Sequence, residues 1–150
     1  IYDPKELKKI WNIWRPDLVQ APLNVFDHRI YKSGWLNKLK RRNVEVHVRS
    51  CFLQGILINY NVKNKFYNKF KKWKKLFYNW SSWCEANKIS KLEACLNFIK
   101  NFKNIDYLII GVENSKQLKE IIKIFRSKKK NIPHFFACND AKLIEPKNWK

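Results

Sequence analysis

The sequence predicts an α/β fold built on parallel strands, and two segments carry that prediction. Residues 44–48, VEVHV, are β-branched and alternate apolar with polar, which is typical of a strand. Residues 105–112, IDYLIIGV, form a continuous apolar run of the kind that is buried on both faces of a parallel sheet. Helical patterns alternate with the strands along the chain, and this alternation predicts right-handed crossovers.

The first elements have local start and stop signals. Asp3 is followed by a proline, which predicts an N-cap and a helix over residues 4–13, and Pro16 ends that helix. Residues 17–24, DLVQAPLN, predict a short buried strand that runs out into a loop at its proline.

The later elements repeat the alternation. Apolar residues at helical spacing predict helices over residues 35–42, 90–103 and 115–127. The inward face of the last helix is predicted to carry Leu118, Ile121, Ile122 and Phe125. Three strands with open edges do not make a stable domain, so the pattern is typical of a TIM (β/α)8 barrel that has lost its first half.

Residues 61–86 are expected to form an extra helical insert, and it contains the most basic stretch of the chain. Five aromatic residues fall on one helical face: Phe66, Phe70, Trp73, Phe77 and Trp80. The interpretation that we favour packs this stripe on the protein body and leaves the lysines in solvent. The alternative is a non-enzymatic basic module that binds RNA or an anionic membrane through residues 61–83.

The composition bounds the class of protein. The 150 residues are 45% hydrophobic and 15% aromatic, which excludes a disordered chain. No signal peptide and no run of about 18 apolar residues occurs. The formal net charge is +20, but the excess comes from 26 Lys against 6 Arg. We attribute this charge to composition bias, because specific nucleic-acid recognition favours arginine.

The cysteines and the first residue also bear on the class. Four scattered cysteines and three histidines have no zinc spacing, which predicts no metal site and reduced thiols in a cytoplasmic protein. The chain begins with Ile1 and contains no Met, so we expect a processed product, an excised domain or part of a longer protein.

Polar residues and a glycine follow the predicted strands, at the end where parallel α/β folds build their sites. Gln20 lies in the first strand, Arg49 and Ser50 follow the second, and Gly111 ends the third. The loop after the first strand adds Asn24, Asp27 and Arg29. The next helix is predicted to begin at Ser115, shortly after Gly111, and a strand, a glycine and then a helix N-terminus favour binding of an anion such as phosphate.

Three strings in chain order, LVQAPLNVFDHR, VEVHVRSCFLQGIL and IDYLIIGVENSKQLKEI, together resemble the C-terminal half of the aldo-keto reductase family. The closing LIEPKNW resembles the Pro-x-x-Trp ending of that family. Members are (β/α)8 barrels that reduce carbonyls with a nicotinamide cofactor. The resemblance covers nearly the whole chain and implies a partial NAD(P)-dependent oxidoreductase domain over residues 1–150. Its strands would be five to eight, with Tyr2 closing strand five.

The resemblance also implies a set of contacts with a cofactor, either NADP or NAD. The glutamine that hydrogen-bonds the nicotinamide carboxamide is matched by Gln20. The loop that runs along the pyrophosphate is matched by Ser50, Cys51, Phe52 and Leu53. The turn beside the adenosine phosphate is matched by Gly111 and Glu113. The helix positions that reach the 2′-phosphate region and the adenine are matched by Gln117 and Glu120.

Three positions depart from the family pattern. Arg49 stands where many members have an aromatic ring that stacks on the nicotinamide, although a guanidinium can stack as well. Glu113 replaces a small polar residue, and its carboxylate would repel a 2′-phosphate. Ile121 replaces the usual asparagine after the adenine-contacting glutamate, which removes one contact to adenine.

The catalytic Asp, Tyr, Lys and His of the family lie on its first four strands, and none of those segments is present. We therefore predict no catalytic residue here. The chain is expected to be the cofactor-binding part of a reductase of an aldehyde or ketone and to be inactive alone. Its expected partners are a carbonyl substrate and the missing N-terminal half of the barrel, with no specific nucleic acid and no membrane.

Overall fold

The sheet of the protein has three parallel strands in the order β1–β2–β3. A computed structural model describes residues 1–61 and 63–149. Strand β1 covers Leu18–Pro22, β2 covers Glu45–Arg49 and β3 covers Tyr107–Leu108. The register pairs Gln20 with His47, and β2 pairs with β3 through Val48. The predicted α/β class with a parallel sheet is confirmed, with three strands in the described residues against the eight of a complete TIM barrel.

Helices connect and cover these strands. The α-helices are α1 (Pro4–Ile10), α2 (Arg29–Lys32), α3 (Trp35–Arg41), α4 (Ile56–Asn59), α5 (Lys74–Ala86), α6 (Lys91–Lys100), α7 (Ser115–Arg126) and α8 (Ala141–Ile144). Two stretches of 3₁₀ helix cover Lys65–Trp73 and Pro146–Asn148. Among the described residues no helix has the length and apolar character that crossing a membrane requires.

Side-chain caps fix where several helices begin. Asp3 and Glu6 form a reciprocal capping box at α1, Ser90 caps α6 and Asn114 caps α7. Helix α1 ends at Ile10, three residues earlier than predicted. Trp11 is its C-cap, and the backbone continues as turns in which the N–H groups of Ile13 and Trp14 donate to the Ile10 carbonyl.

The two faces of the sheet have different surroundings. Val19, Ala21, Val46 and Val48 point to one face and are at most 3% exposed within the core that the helices cover. The residues that alternate with them leave the other face open, and the exposed ones are Leu18, Gln20, Glu45, Tyr107 and Ile109. In a closed barrel this open face would line the interior.

Strand β3 is much shorter than the predicted strand over 105–112, and that prediction of a strand buried on both faces is wrong. Its ladder with β2 is extended only by single bonds from Asp106 N–H to the Val46 carbonyl and from Ile109 N–H to the Val48 carbonyl. The physical reason is the missing neighbour: β3 is an edge strand with one face open, so Tyr107 is 58% exposed.

The predicted inward face of helix α7 is only partly buried, so that prediction is wrong for three of its four residues. Ile121 is buried, whereas Leu118, Ile122 and Phe125 are each about 40% exposed. The helix packs against α6, and its wide apolar stripe extends beyond the surface available in the described residues.

The insert forms two helical pieces rather than one helix, the first 3₁₀ and the second α5. Phe70, Phe77 and Trp80 are buried, Trp73 is half-buried, and Phe66 is 59% exposed. The favoured interpretation, a stripe packed on the protein body, therefore holds for four of the five rings. Residue 62, inside the predicted insert, lies outside the described residues.

Candidate functional site

A cleft of about 980 Å³ opens beside the ends of β2 and β3. One wall is formed by residues from Arg49, the last residue of β2, through the following loop to Asn59 of α4. The other wall runs from the end of β3 into the first turns of α7, and Leu92 of α6 also lines the space. The volume is that of a site for a large organic ligand.

Two segments that are distant in sequence supply most of the predicted cofactor contacts. Eight of the ten predicted residues line the cleft: Arg49, Ser50, Cys51, Phe52, Gly111, Glu113, Gln117 and Glu120. They meet because parallel strands end at the same edge of a sheet, so the segments after β2 and β3 become neighbours.

The other two predicted residues do not line the cleft. Gln20 lies on the open face of β1, and its backbone carbonyl accepts a hydrogen bond from the amino group of Ile1 at 2.9 Å. The side chain of Leu53 is fully buried in the core. Tyr2, expected to close a strand, lies outside the strands that the structure describes and is about half exposed.

Sequence reasoning missed several lining residues: Gln54, Ile58, Asn59 and Leu92. The first three lie in or beside α4, a four-residue helix that is too short for any apolar period to reveal. Leu92 belongs to the apolar pattern of its helix, and a periodic pattern does not indicate which of its residues faces a cavity.

The loop after β2 has an unusual backbone. Ser50, Leu53 and Gln54 have φ of 62°, 46° and 53°, and Gly55 follows at 80°. Only glycine adopts this left-handed region at no steric cost, so the backbone is strained at the three positions Ser50, Leu53 and Gln54. Such strain persists where the surroundings over-determine the backbone, and it concentrates at functional sites.

Arg49 is fixed at the mouth of the cleft by its neighbours. Its guanidinium lies over the ring of Tyr2 at 4.7 Å and donates to the Ile1 carbonyl at 3.0 Å. A weaker contact of 3.3 Å reaches the hydroxyl of Ser50. These contacts fix the positive charge of the guanidinium beside the Ser50 hydroxyl.

The polar residues after β1 form a structural network. Arg29 pairs with Asp3, Asp27 and Glu145, which ties three distant parts of the chain together. Burial acts to lower the pKa of Arg29, but its hydrogen bonds to Asp27 and Glu145 raise that pKa above the ordinary value. Asn24 supports the cleft indirectly, because its amide donates to the Ser50 carbonyl at 3.1 Å.

Gly111 and the start of α7 shape the second wall. A Cβ at Gly111 would meet nothing within 4 Å, so the backbone here faces open space. The side-chain oxygen of Gln117 accepts from the N–H of Glu113 at 2.9 Å, and its amide nitrogen lies 3.5 Å from the Glu113 carboxylate. The first N–H groups of a helix have no partner inside the helix and favour an anion, which makes this end of α7 suited to a phosphate.

Nucleophilic or metal chemistry is not supported by the groups in the cleft. Burial raises the pKa of Cys51 to about 12, so its thiol stays protonated and contributes shape rather than a thiolate. Within residues 1–61 and 63–149, no cluster of His, Cys, Asp and Glu could hold a metal ion.

Comparison with known proteins adds the family. A search of curated proteins gives no match. The family model described as "Aldo/keto reductase family" matches residues 2–140, and these include both walls of the cleft. Because the match spans nearly all of the 150 residues, the chain belongs to the aldo/keto reductase family, whose members are oxidoreductases that generally use NAD(P)H.

Proposed function

We propose that the chain is the C-terminal, cofactor-binding part of an NAD(P)H-dependent aldo-keto reductase, with barrel strands five to eight, that reduces an aldehyde or ketone. The observation that carries the proposal is the convergence of eight predicted contact residues on one cleft. The four cysteines are free thiols, which supports a reducing compartment such as the cytoplasm.

The cleft fits the adenosine and pyrophosphate portion of a nicotinamide dinucleotide. Its volume of about 980 Å³ is sufficient, and the open space at Gly111 lets a ligand approach the backbone closely. The N-terminus of α7 favours a phosphate group. Arg49 and the Ser50 hydroxyl would hold pyrophosphate oxygens, while Gln117 and Glu120 would contact the adenosine. When bound, the cofactor supplies the hydride, and these residues orient it.

The open face of the sheet supports a further part of the proposal, the partner. Leu18 on β1, Tyr107 on β3 and Ile109 directly after β3 are exposed, as is Ile122 on α7. Apolar surfaces of this kind are normally covered in a complete fold. We propose that the first four βα units of the barrel cover them and contribute the catalytic groups and the site for the carbonyl substrate.

The proposal is tested by direct binding of the chain to NADH and NADPH, followed by the fluorescence of the reduced nicotinamide and by calorimetry. The informative variant is Gly111→Val, because its side chain would occupy the cleft without meeting other atoms. We expect this variant to keep its thermal stability and to lose at least about tenfold in affinity, equivalent to ~1.4 kcal/mol.

The matched control is Asn131→Val, a neutral exposed position outside the cleft, which should bind as the unmodified chain does. Absence of binding of both dinucleotides at millimolar concentration would reject the proposal. Equal binding by the two valine variants would reject the cleft as the site.

The alternative function, binding of RNA or an anionic membrane through residues 61–83, rests on the lysines that remain exposed there together with Phe66. Burial of Phe70, Phe77 and Trp80 removes the rings that would stack on bases or insert into lipid. Salt-sensitive binding to generic RNA or to phosphatidylserine vesicles, lost on replacing exposed lysines such as Lys65 and Lys71, would favour this alternative.

A further inference from the structure

Asn24 lies behind the cleft and is almost completely buried, with 1% of its surface exposed. It follows β1 and is not among the residues that line the cleft. Its amide nitrogen donates to the carbonyl of Ser50, the first residue of the cleft loop, which we define as residues 50–55. This bond joins residues that are 26 positions apart, so it depends on the tertiary fold and not on local geometry.

The direction in which the Asn24 amide faces is fixed by its oxygen. This oxygen accepts from the backbone N–H groups of Phe26 and Asp27, both at 2.9 Å, as in an Asx turn. The turn is anchored in its own right, because Arg29 donates to both oxygens of the Asp27 carboxylate, at 2.9 and 2.8 Å. The amide nitrogen of Asn24 is therefore held as a donor toward the cleft loop.

The Ser50 carbonyl is the point at which the cleft loop closes on itself. It accepts from the Leu53 N–H at 2.9 Å as well as from Asn24, so both of its lone pairs are used. Three non-glycine residues of the loop have positive φ, and such backbone persists only where its surroundings fix it. Asn24 supplies one such contact from outside the loop, at its first strained residue.

From these contacts we infer that Asn24 is a positioning residue, which holds the cleft loop in its strained conformation before a ligand binds. A loop that is ordered in advance loses less conformational entropy on binding, so the affinity for the ligand is higher. Ser50, Phe52 and Gln54 of this loop line the cleft, whereas Asn24 acts only through the Ser50 carbonyl. The inference rests on the proposed function for the ligand itself, a nicotinamide dinucleotide.

Asn24→Asp tests the inference, because it keeps the oxygen that accepts two bonds and replaces the donor with a second oxygen. Asn97→Asp is the matched control. Asn97 is also fully buried, donates to the Glu93 carbonyl at 3.0 Å and accepts from the Lys130 N–H at 2.8 Å, and it does not line the cleft. Each variant loses one buried donor, so the urea midpoints of both should fall by similar amounts.

The two variants should differ in their affinity for dinucleotide. We expect Asn24→Asp to bind NADH and NADPH at least about tenfold more weakly than the unmodified chain, and Asn97→Asp to stay within about twofold of it. Calorimetry at about pH 8, well above the usual pKa of a carboxyl group, measures these dissociation constants. Equal affinities of the two variants would overturn the inference, because a loss common to both reflects stability alone.

Hydrogen exchange of the cleft loop is a second measurement, and it needs no ligand. In the unmodified chain the Leu53 N–H should exchange more than about a hundredfold more slowly than in an unstructured peptide. This protection should fall in Asn24→Asp and persist in Asn97→Asp. Exchange of the Leu53 N–H at the unstructured rate in the unmodified chain would overturn the inference, whether or not Asn24→Asp folds.

The outcomes separate this inference from the proposed function. Binding of neither dinucleotide by the unmodified chain rejects the proposed function, and the exchange of the Leu53 N–H then decides the role of Asn24. Tight binding by Asn24→Asp leaves the proposed function standing and rejects Asn24 as a positioning residue.

Discussion

His28 illustrates how a single buried group couples stability to pH. Its ring is 1% exposed, stacks on Phe98 at 4.8 Å, and donates from Nε2 to the Val25 carbonyl at 3.0 Å. The other ring nitrogen, Nδ1, has no hydrogen-bond partner in the described residues. Burial, followed by the nearby His134, lowers the pKa of His28 to about 4.

The sign of the resulting pH dependence follows from the lowered pKa. Between pH 6.5 and 4 the unfolded chain binds a proton at His28 and the folded chain does not, so acidification favours unfolding. The contribution of neutral His28 to the free energy of unfolding is complete above pH 6.5 and is lost progressively as the pH falls toward 4. This loss amounts to about 3 kcal/mol at most.

The measurement is urea unfolding across that pH range, for the unmodified chain and for His28→Phe. We expect the free energy of unfolding of the variant to fall less steeply as the pH is lowered, because the variant has no imidazole at this position. His47→Phe changes a histidine that is not in contact with the rings of His28, Phe98 and His134, so its free energy of unfolding should keep the same dependence on pH. An unchanged slope in His28→Phe would show that other groups cause the acid sensitivity.

Some residues of the cleft could be predicted from the sequence, and others could not. Ser50 and Gly111 follow recognisable strands, so their position at a sheet edge could be predicted. Gln20 also belongs to a strand but does not line the cleft. The neighbouring strands determine which cavity a strand residue faces, and the sequence pattern does not specify them. The pairing of Arg29 with Glu145 joins residues far apart in the chain, and no local pattern could indicate it.

At the scale of elements, the insert gives the clearest test of the packing. Phe70 is 1% exposed and meets the Trp149 ring edge-on at 4.8 Å, so the 3₁₀ helix holds the C-terminal segment against the body. Phe66, one turn earlier, is 59% exposed, with the ammonium of Lys69 over its ring at 4.9 Å. The same residue type therefore occupies two opposite environments in one element.

We predict that Phe70→Ala lowers the free energy of unfolding by about 3–5 kcal/mol, because the substitution removes a buried ring and leaves a cavity. Phe66→Ala should change it by no more than about 0.5 kcal/mol, as is usual for surface positions. Chemical denaturation of both variants makes the comparison. Similar losses for the two would mean that the stripe does not pack as the structure indicates.

Elements with strong local signals were predictable, and those that depend on neighbours were not. The caps at Asp3, Ser90 and Asn114 fixed three helix starts. The eight-residue strand expected at 105–112 is only Tyr107–Leu108, since a strand extends only where a neighbouring strand offers backbone groups to pair with.

At the scale of the whole molecule, the open sheet face and the exposed stripe of α7 leave the described fold with apolar surface to cover. The cleft lies at the ends of β2 and β3, and Ile109 belongs both to its lining and to that open apolar surface.

We predict that the isolated chain binds dinucleotide but shows no carbonyl-dependent oxidation of NADH or NADPH above the rate of buffer. The reason is that no proton donor matching the family's catalytic tyrosine is present in the sequence. The assay follows absorbance of the reduced nicotinamide with aliphatic and aromatic aldehydes. Turnover at the rate of a complete family member would contradict the prediction.

The sequence by itself determined the α/β class, the starts of its capped helices and the segments that meet in the cleft. Each of these depends on local propensity or on the rule that parallel strands end at one edge. Only the tertiary structure decided the length of β3, the exposure of Leu118, Ile122 and Phe125, and the hydrogen bond from Asn24 to Ser50. These depend on which surfaces meet across the fold, because burial and long-range hydrogen bonds are set by neighbours in space and not by neighbours in sequence.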